Sequence, residues 1–269
     1  MDDYPNLPDA ARYDAVHDVA PRRGTGRRGT GGPAALLGVA LAWLVLVTLG
    51  AAVAAVVAVG VLTWLGWGAP GRLAEDGGLL ALPLQQAFMA LGAVRRGRRV
   101  GGGDLRAGLG WLPVRQRRLV AGLVSCTLLL VVVAHAGLSA SSAGMREFYS
   151  KAVPALGGPR TGDAGYAAWI VATVVIGAPV AEELFFRGWL WAGLRRRWGA
   201  WRTGGATGLL FLLVHGLGGE WRQLAALVPV VVLLSLAREL GGSVRASLMV
   251  HAANNGLAAA GLIALRLMG

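Results

Sequence analysis

The chain has 269 residues, 55% of them apolar, with a mean hydropathy of +0.56 and a formal charge of +12. Such values exclude an ordinary water-soluble enzyme and point to an all-α polytopic membrane protein, because a backbone facing lipid must satisfy its own hydrogen bonds. The charge does not indicate nucleic acid: the arginines gather in the gaps between apolar runs, and no aromatic-basic surface or nucleic-acid motif accompanies them.

Residues 1–32 are rich in Pro, Gly and Arg, lack helical periodicity, and read as a disordered basic cytosolic tail. Seven apolar segments follow, at approximately 35–66, 79–94, 119–140, 166–191, 204–218, 223–238 and 245–265. The first exceeds the roughly 20 residues that a span needs and is expected to tilt or protrude. The second is short and contains Pro83, which leaves its full crossing open. The fifth and sixth are joined by Gly218-Gly219-Glu220, read as a tight turn. The organisation is thus a tail (1–32), N-terminal spans and loops (33–165) and a C-terminal helical core (166–269) that carries the chemistry.

Orientation follows from the basic residues between spans. With the N-terminus inside, 19 of the 26 fall on the cytosolic side and six outside: Arg72, Arg146, Lys151, Arg160, Arg222 and Arg266. Arg187 lies within a span. The expected architecture is a transmembrane helical bundle of about seven spans, multi-pass in the cell membrane, with a cytosolic N-terminus. Trp189, Trp191, Trp198 and Trp201 flank Arg195–Arg197 as interfacial aromatics would. The Ala, Gly and Val content, with one lysine against 25 arginines, indicates a high-GC, bacterial source. Cys126 is the single cysteine, so no intramolecular disulfide and no CxxC metal motif exists.

The fourth segment places Glu182, Glu183 and Arg187 inside an apolar helix, and an ionisable residue at bilayer depth is a functional suspect by default. Glu183 and Arg187 stand four apart with the acid first, the favourable order for an ion pair on one face. Glu182, on the neighbouring face, is left free to act as a general base. His251 and Asn255 share one face of the seventh segment, as Phe211 and His215 do in the fifth. Helix rise puts Glu182, His215, His251 and Asn255 roughly 14, 17, 9 and 15 Å from the cytosolic ends of their spans, close to one layer. Pro179 removes a helix hydrogen bond and leaves a carbonyl free near the acids. Plainer readings stand beside these. A buried Glu–Arg pair is often structural. His135 in the third span reads as an interhelical hydrogen-bond partner, Asn254 as a local one, and Phe211 as core.

Taken together, Glu182-Glu183-x-x-x-Arg187, Phe211-x-x-x-His215 and His251-x-x-x-Asn255 resemble the motifs of the CAAX-processing and bacteriocin-processing (CPBP, or Abi) protease family, which are intramembrane glutamic endopeptidases. The resemblance covers roughly residues 166–260. It implies that Glu182, aided by His215, activates a water, that His251 and Asn255 donate to the oxyanion, and that Glu183 and Arg187 support the site. It implies a peptide or membrane-protein substrate, of CAAX type or bacterial, and the lipid bilayer as the other partner. No cofactor is expected. Zinc on a glutamate and two histidines is the alternative, although HExxH is missing. A non-catalytic scaffold, immunity protein or chaperone of the same fold, and a proton-coupled transporter, also stay open. The sequence carries no signature of an oligomeric state.

Overall fold

In a computed structural model, the described residues are 32–66, 73–139, 162–216 and 221–268, and they are helical with no strand among them. The tail and the Gly218-Gly219-Glu220 turn lie outside the described residues, as does the side chain of His135. The helices are α1 (Pro33–Trp64), α2 (Leu73–Val100), the short α3 (Leu105–Leu109), α4 (Arg117–Ser139), α6 (Ala200–Gly216), α7 (Trp221–Leu240) and α8 (Val244–Met268), with α5 between α4 and α6. Within α5, Gly162–Ile170, Ala178–Glu182 and Trp191–Arg195 are α-helical, whereas Val171–Gly177 and Glu183–Leu190 are π-helical. Each apolar segment read from the sequence becomes a helix, and only α3 has no counterpart there.

The reason is visible in α1. Its buried residues, Ala40, Leu44, Val47, Ala51, Ala55 and Val59, fall every three or four positions and form one narrow seam. The remaining faces are equally apolar, with Leu46, Val53 and Val56 more than half exposed. An apolar exterior of this extent is untenable in water and fits a helix bathed in lipid. By length and composition two helices can cross a membrane among the described residues, Pro33–Trp64 and Ala164–Arg195. The second segment of the sequence grows into the 28-residue α2, with Pro83 inside the helix and Arg98 and Arg99 in its last turn, where the helix dipole favours cations.

α1 packs along α2, and α2 lies on α5. α8 packs against α4, α5 and α7, and α6 against α7. One apolar core joins α1, α2, α5 and α6 around Phe185, Phe186 and Leu190. A second joins α4, α7 and α8 around Val120, Leu234 and Val250. The two interfacial tryptophans nearest the acids belong to the interior instead: Trp189 and Trp191 are buried, and only Trp201, 84% exposed, stands fully clear. Trp189 packs on Phe185 with ring centroids 5.2 Å apart. The Arg96 guanidinium lies 4.1 Å from the Trp43 ring and 5.3 Å from that of Trp189, a cationic wedge tying α1, α2 and α5 together.

The turn between α7 and α8 is clamped by the loop after α3. Arg115 N–H donates to the Gly241 carbonyl (2.9 Å), and Val244 N–H to that of Gly110 (3.0 Å). Gly110 has a left-handed φ of +65°, and a Cβ there would strike the Arg238 guanidinium, so glycine is needed twice over.

Candidate active site

α5 brings Glu183 and Arg187 into a fully buried pair, Nη1 to Oε1 at 3.1 Å. The same Oε1 accepts from Nδ1 of His251, on α8, at 2.9 Å. An ionised carboxylate only accepts, so Nδ1 carries the proton and the Nε2 edge of His251 faces elsewhere. It faces Glu182, 3.7 Å from Oε2.

His215 approaches the same oxygen from α6, with Nε2 4.0 Å from Glu182 Oε2. Its Nδ1 lies 2.9 Å from the Phe211 carbonyl. A carbonyl cannot donate, so Nδ1–H does, and in the neutral ring Nε2 is a lone-pair acceptor. Phe211 stacks on the His215 ring at 4.2 Å, meets His251 edge-on at 5.9 Å, and lies 4.7 Å below the Arg187 guanidinium. It is core, as its sequence reading has it, and it also holds both imidazoles in place.

Glu182, Glu183, Arg187, Phe211, His215 and His251 thus form one connected cluster drawn from three helices. Asn255, one helical turn after His251 on α8, is bonded to other partners. Its Nδ2 donates to the Val174 carbonyl on α5 (2.9 Å), and its Oδ1 accepts from Asn254 (3.0 Å). Asn254, read as a local partner, therefore sets which way the Asn255 amide points.

The backbone explains that contact. In the π-helical stretch each N–H reaches back five residues, as Ala178 N–H does to the Thr173 carbonyl. The next residue is Pro179, which has no N–H, so the Val174 carbonyl loses its helix donor and Asn255 supplies one. The free carbonyl expected from Pro179 exists and is occupied. π-Helical turns of this length are rare and concentrate at functional sites, and they had no signature in the apolar pattern.

Exposure is one-sided. Glu183, Arg187 and His251 are sealed, whereas the side chain of Glu182 is 16% and that of His215 33% exposed. Glu182 Oε2, Glu183 Oε2 and Arg187 Nε and Nη2 are buried without a hydrogen-bond partner in the protein. Buried polar groups usually find a partner, so these call for one, an ordered water or a reacting group. Among the described residues no group of three or more His, Cys, Asp or Glu has the arrangement of a metal site.

Residues 164–257 match the family model for Rce1-like type II CAAX prenyl endopeptidases, and the three motifs lie inside that segment. Over these residues the chain is similar to the CAAX-processing protease family. The proteins of that family are membrane proteases with peptide or protein substrates. No curated protein matches the chain. No solved structure does either.

Two residues at the cluster's edge had no signal in the sequence. Arg238, on α7, is buried and donates from Nε to the Arg187 carbonyl at 2.8 Å. Gln86, on α2, is buried and donates to the Thr173 carbonyl at 3.0 Å. Both act through backbone carbonyls of a π-helical stretch, contacts that no side-chain spacing announces.

Proposed function

We propose that the protein is a metal-independent intramembrane endopeptidase in which Glu182 activates water. The observation that carries this reading is the pair Glu182 Oε2 and His215 Nε2, two acceptors 4.0 Å apart on the two partly exposed side chains of the cluster. Two acceptors repel unless a donor lies between them, and a water donating to both with bonds of ordinary length spans about 4.4 Å, so the pair need part by only a few tenths of an ångström to take one. Glu182 takes the proton as the water oxygen attacks the scissile carbonyl, then delivers it to the departing amine.

The oxyanion so formed needs donors. Asn255 keeps one Nδ2–H beyond the one given to Val174. His251, with Nδ1–H held by Glu183, donates from Nε2 as an imidazolium. Its charge and that of Arg187 then balance the two carboxylates, which gives Glu183 its part in the reaction. Preorganised donors in a dry cavity are worth several kcal/mol to such a transition state. The buried Arg187 cation beside the acids argues against a divalent metal, which would be repelled there.

The proposed substrate is a peptide or membrane protein, with a prenylated CAAX peptide as the first to try. The proposed setting is a bundle of about seven spans with a cytosolic N-terminus in a bacterial cell membrane. Reporter fusions at residues 1–32 and at the C-terminus, expected inside and outside respectively, check the topology.

The test of function compares membranes carrying wild type with membranes carrying Glu182→Ala at matched abundance, with new protein termini mapped by mass spectrometry. Termini that depend on Glu182 establish proteolysis and name the substrate. No difference, with the variant folded, favours a scaffold of the same fold, for which the sealed Glu183–Arg187–His251 network would be architecture alone.

A further inference from the structure

We infer that Gln86 is a positioning residue for the catalytic glutamate, although it lies on α2, outside the 164–257 family segment. The inference rests on the proposed role of Glu182 and extends it to a helix with no motif of its own.

Two adjacent carbonyls in the first π-helical stretch of α5 receive side-chain amides from opposite sides. Thr173 takes Gln86 from α2 and Val174 takes Asn255 from α8. The first of these carbonyls also accepts the Ala178 N–H, the bond that makes the stretch π-helical. Gln86 therefore holds the carbonyl on which the wide register turns. Four residues after Ala178 comes Glu182, at the end of the intervening α-helical stretch, so that register sets the direction in which Glu182 leaves the helix.

Gly177 shows that the fit is built. A Cβ at that position would strike Oε1 of Gln86 and crowd its Cδ, and it would come within 3.0 Å of the Ala172 carbonyl oxygen. The φ of Gly177, −61°, is ordinary for a helix, so backbone freedom does not call for glycine there. Room for the amide does. An unmade hydrogen bond is costly in an apolar surround, where no water replaces the missing donor. α5 without the Gln86 donor relaxes toward the ordinary register, and Glu182 rotates with it.

The variants are Gln86→Leu, Gln86→Glu, Gln86→Ala and Gly177→Ala, with Gln86→Ala combined with Gly177→Ala as the double. Gln86→Glu keeps length and volume but puts an acceptor where the donor stood, and it carries the test if Gln86→Leu does not accumulate. Two readouts are taken in detergent. Hydrogen exchange over residues 171–183 is expected to accelerate at least about threefold in each single variant, since a shared acceptor has lost a partner. Cleavage of a fluorogenic prenylated CAAX peptide is expected to lose kcat roughly 10- to 100-fold, the cost of a misplaced reacting group, with KM within about twofold.

Gly177→Ala and Gln86→Ala are expected to be non-additive, because each destroys the same contact. Unchanged exchange, a loss confined to KM, or effects that multiply in the double variant would each overturn the inference. A wild type that shows no Glu182-dependent cleavage, with exchange altered as expected, instead refutes the peptidase reading and leaves the Gln86 contact standing.

Discussion

The adjacent acids Glu182 and Glu183 are expected to separate cleanly under substitution, since the proposed mechanism makes one the base and the other a buried counter-ion. Glu183 Oε1 accepts from Arg187 at 3.1 Å and from His251 at 2.9 Å, and all three side chains are at most 6% exposed. Glu183→Leu leaves a guanidinium buried without its anion, a change that typically costs about 3–5 kcal/mol. At roughly 2–4 °C per kcal/mol for a chain of this size, the midpoint falls by about 6–20 °C. Glu182 Oε2 has no hydrogen-bond partner among the described residues, the nearest imidazole nitrogens being 3.7 and 4.0 Å away, and the side chain is partly exposed. Glu182→Gln is therefore expected to move stability by less than about 1 kcal/mol, as for a loose and partly solvated ion pair. It should still lower kcat by about 10²–10⁴-fold, the usual contribution of a general base. Thermal unfolding in one detergent and peptide cleavage at matched protein concentration measure both. Equal loss of stability for the two variants would refute the division of labour, as would a Glu182→Gln protein that retains turnover.

Other expectations concern the surroundings. Asn254→Ala removes the donor that orients Asn255, so kcat should fall, but by less than in Asn255→Ala; equal losses in parallel assays would contradict the orienting role. Arg195→Ala deletes a half-exposed pair with Glu239, whose two hydrogen bonds measure 2.7 and 3.2 Å. It should cost no more than about 1 kcal/mol in unfolding experiments and leave cleavage unchanged. Treatment with a strong zinc chelator should not alter Glu182-dependent cleavage, whereas loss reversed by added zinc would restore the metal alternative. Arg238→Met should slow cleavage, because the Arg187 carbonyl loses its buried donor; turnover equal to wild type would confine Arg238 to the packing of the α7–α8 turn.

Hydropathy made the helices legible, since a long apolar run in lipid has no other way to satisfy its backbone. The i to i+4 spacing made the Glu183–Arg187 pair legible for a similarly local reason. The contacts of His215 and His251 with the acids cross between helices, and spacing along one helix says only that such faces exist. Estimated depths brought Glu182, His215 and His251 to one layer, as the contacts do. The same argument placed Asn255 among them without revealing that its amide was committed to Val174. The π-helical register was not legible at all, because it depends on which donors stand opposite Pro179 once the bundle has closed. Gln86 looked like one polar residue in a marginal segment until α2 was laid against α5. Trp189 and Trp191 misled for the converse reason: tryptophan beside arginine is typical of an interface, but here α2 covers that face and draws Trp189 inward against Arg96.

The one-sided exposure of the cluster also bears on chemical intervention. Glu183, Arg187 and His251 are buried, so a reagent that does not enter the substrate position meets the partly exposed His215 and Glu182 first. An electrophile on a short apolar stem, delivered along α6, would meet a histidine whose proton is parked on the far nitrogen and whose near nitrogen is bare. Selectivity between His215 and His251 would then come from access rather than intrinsic reactivity. A covalent probe that tags His215 alone would report how far that side chain is reachable at rest.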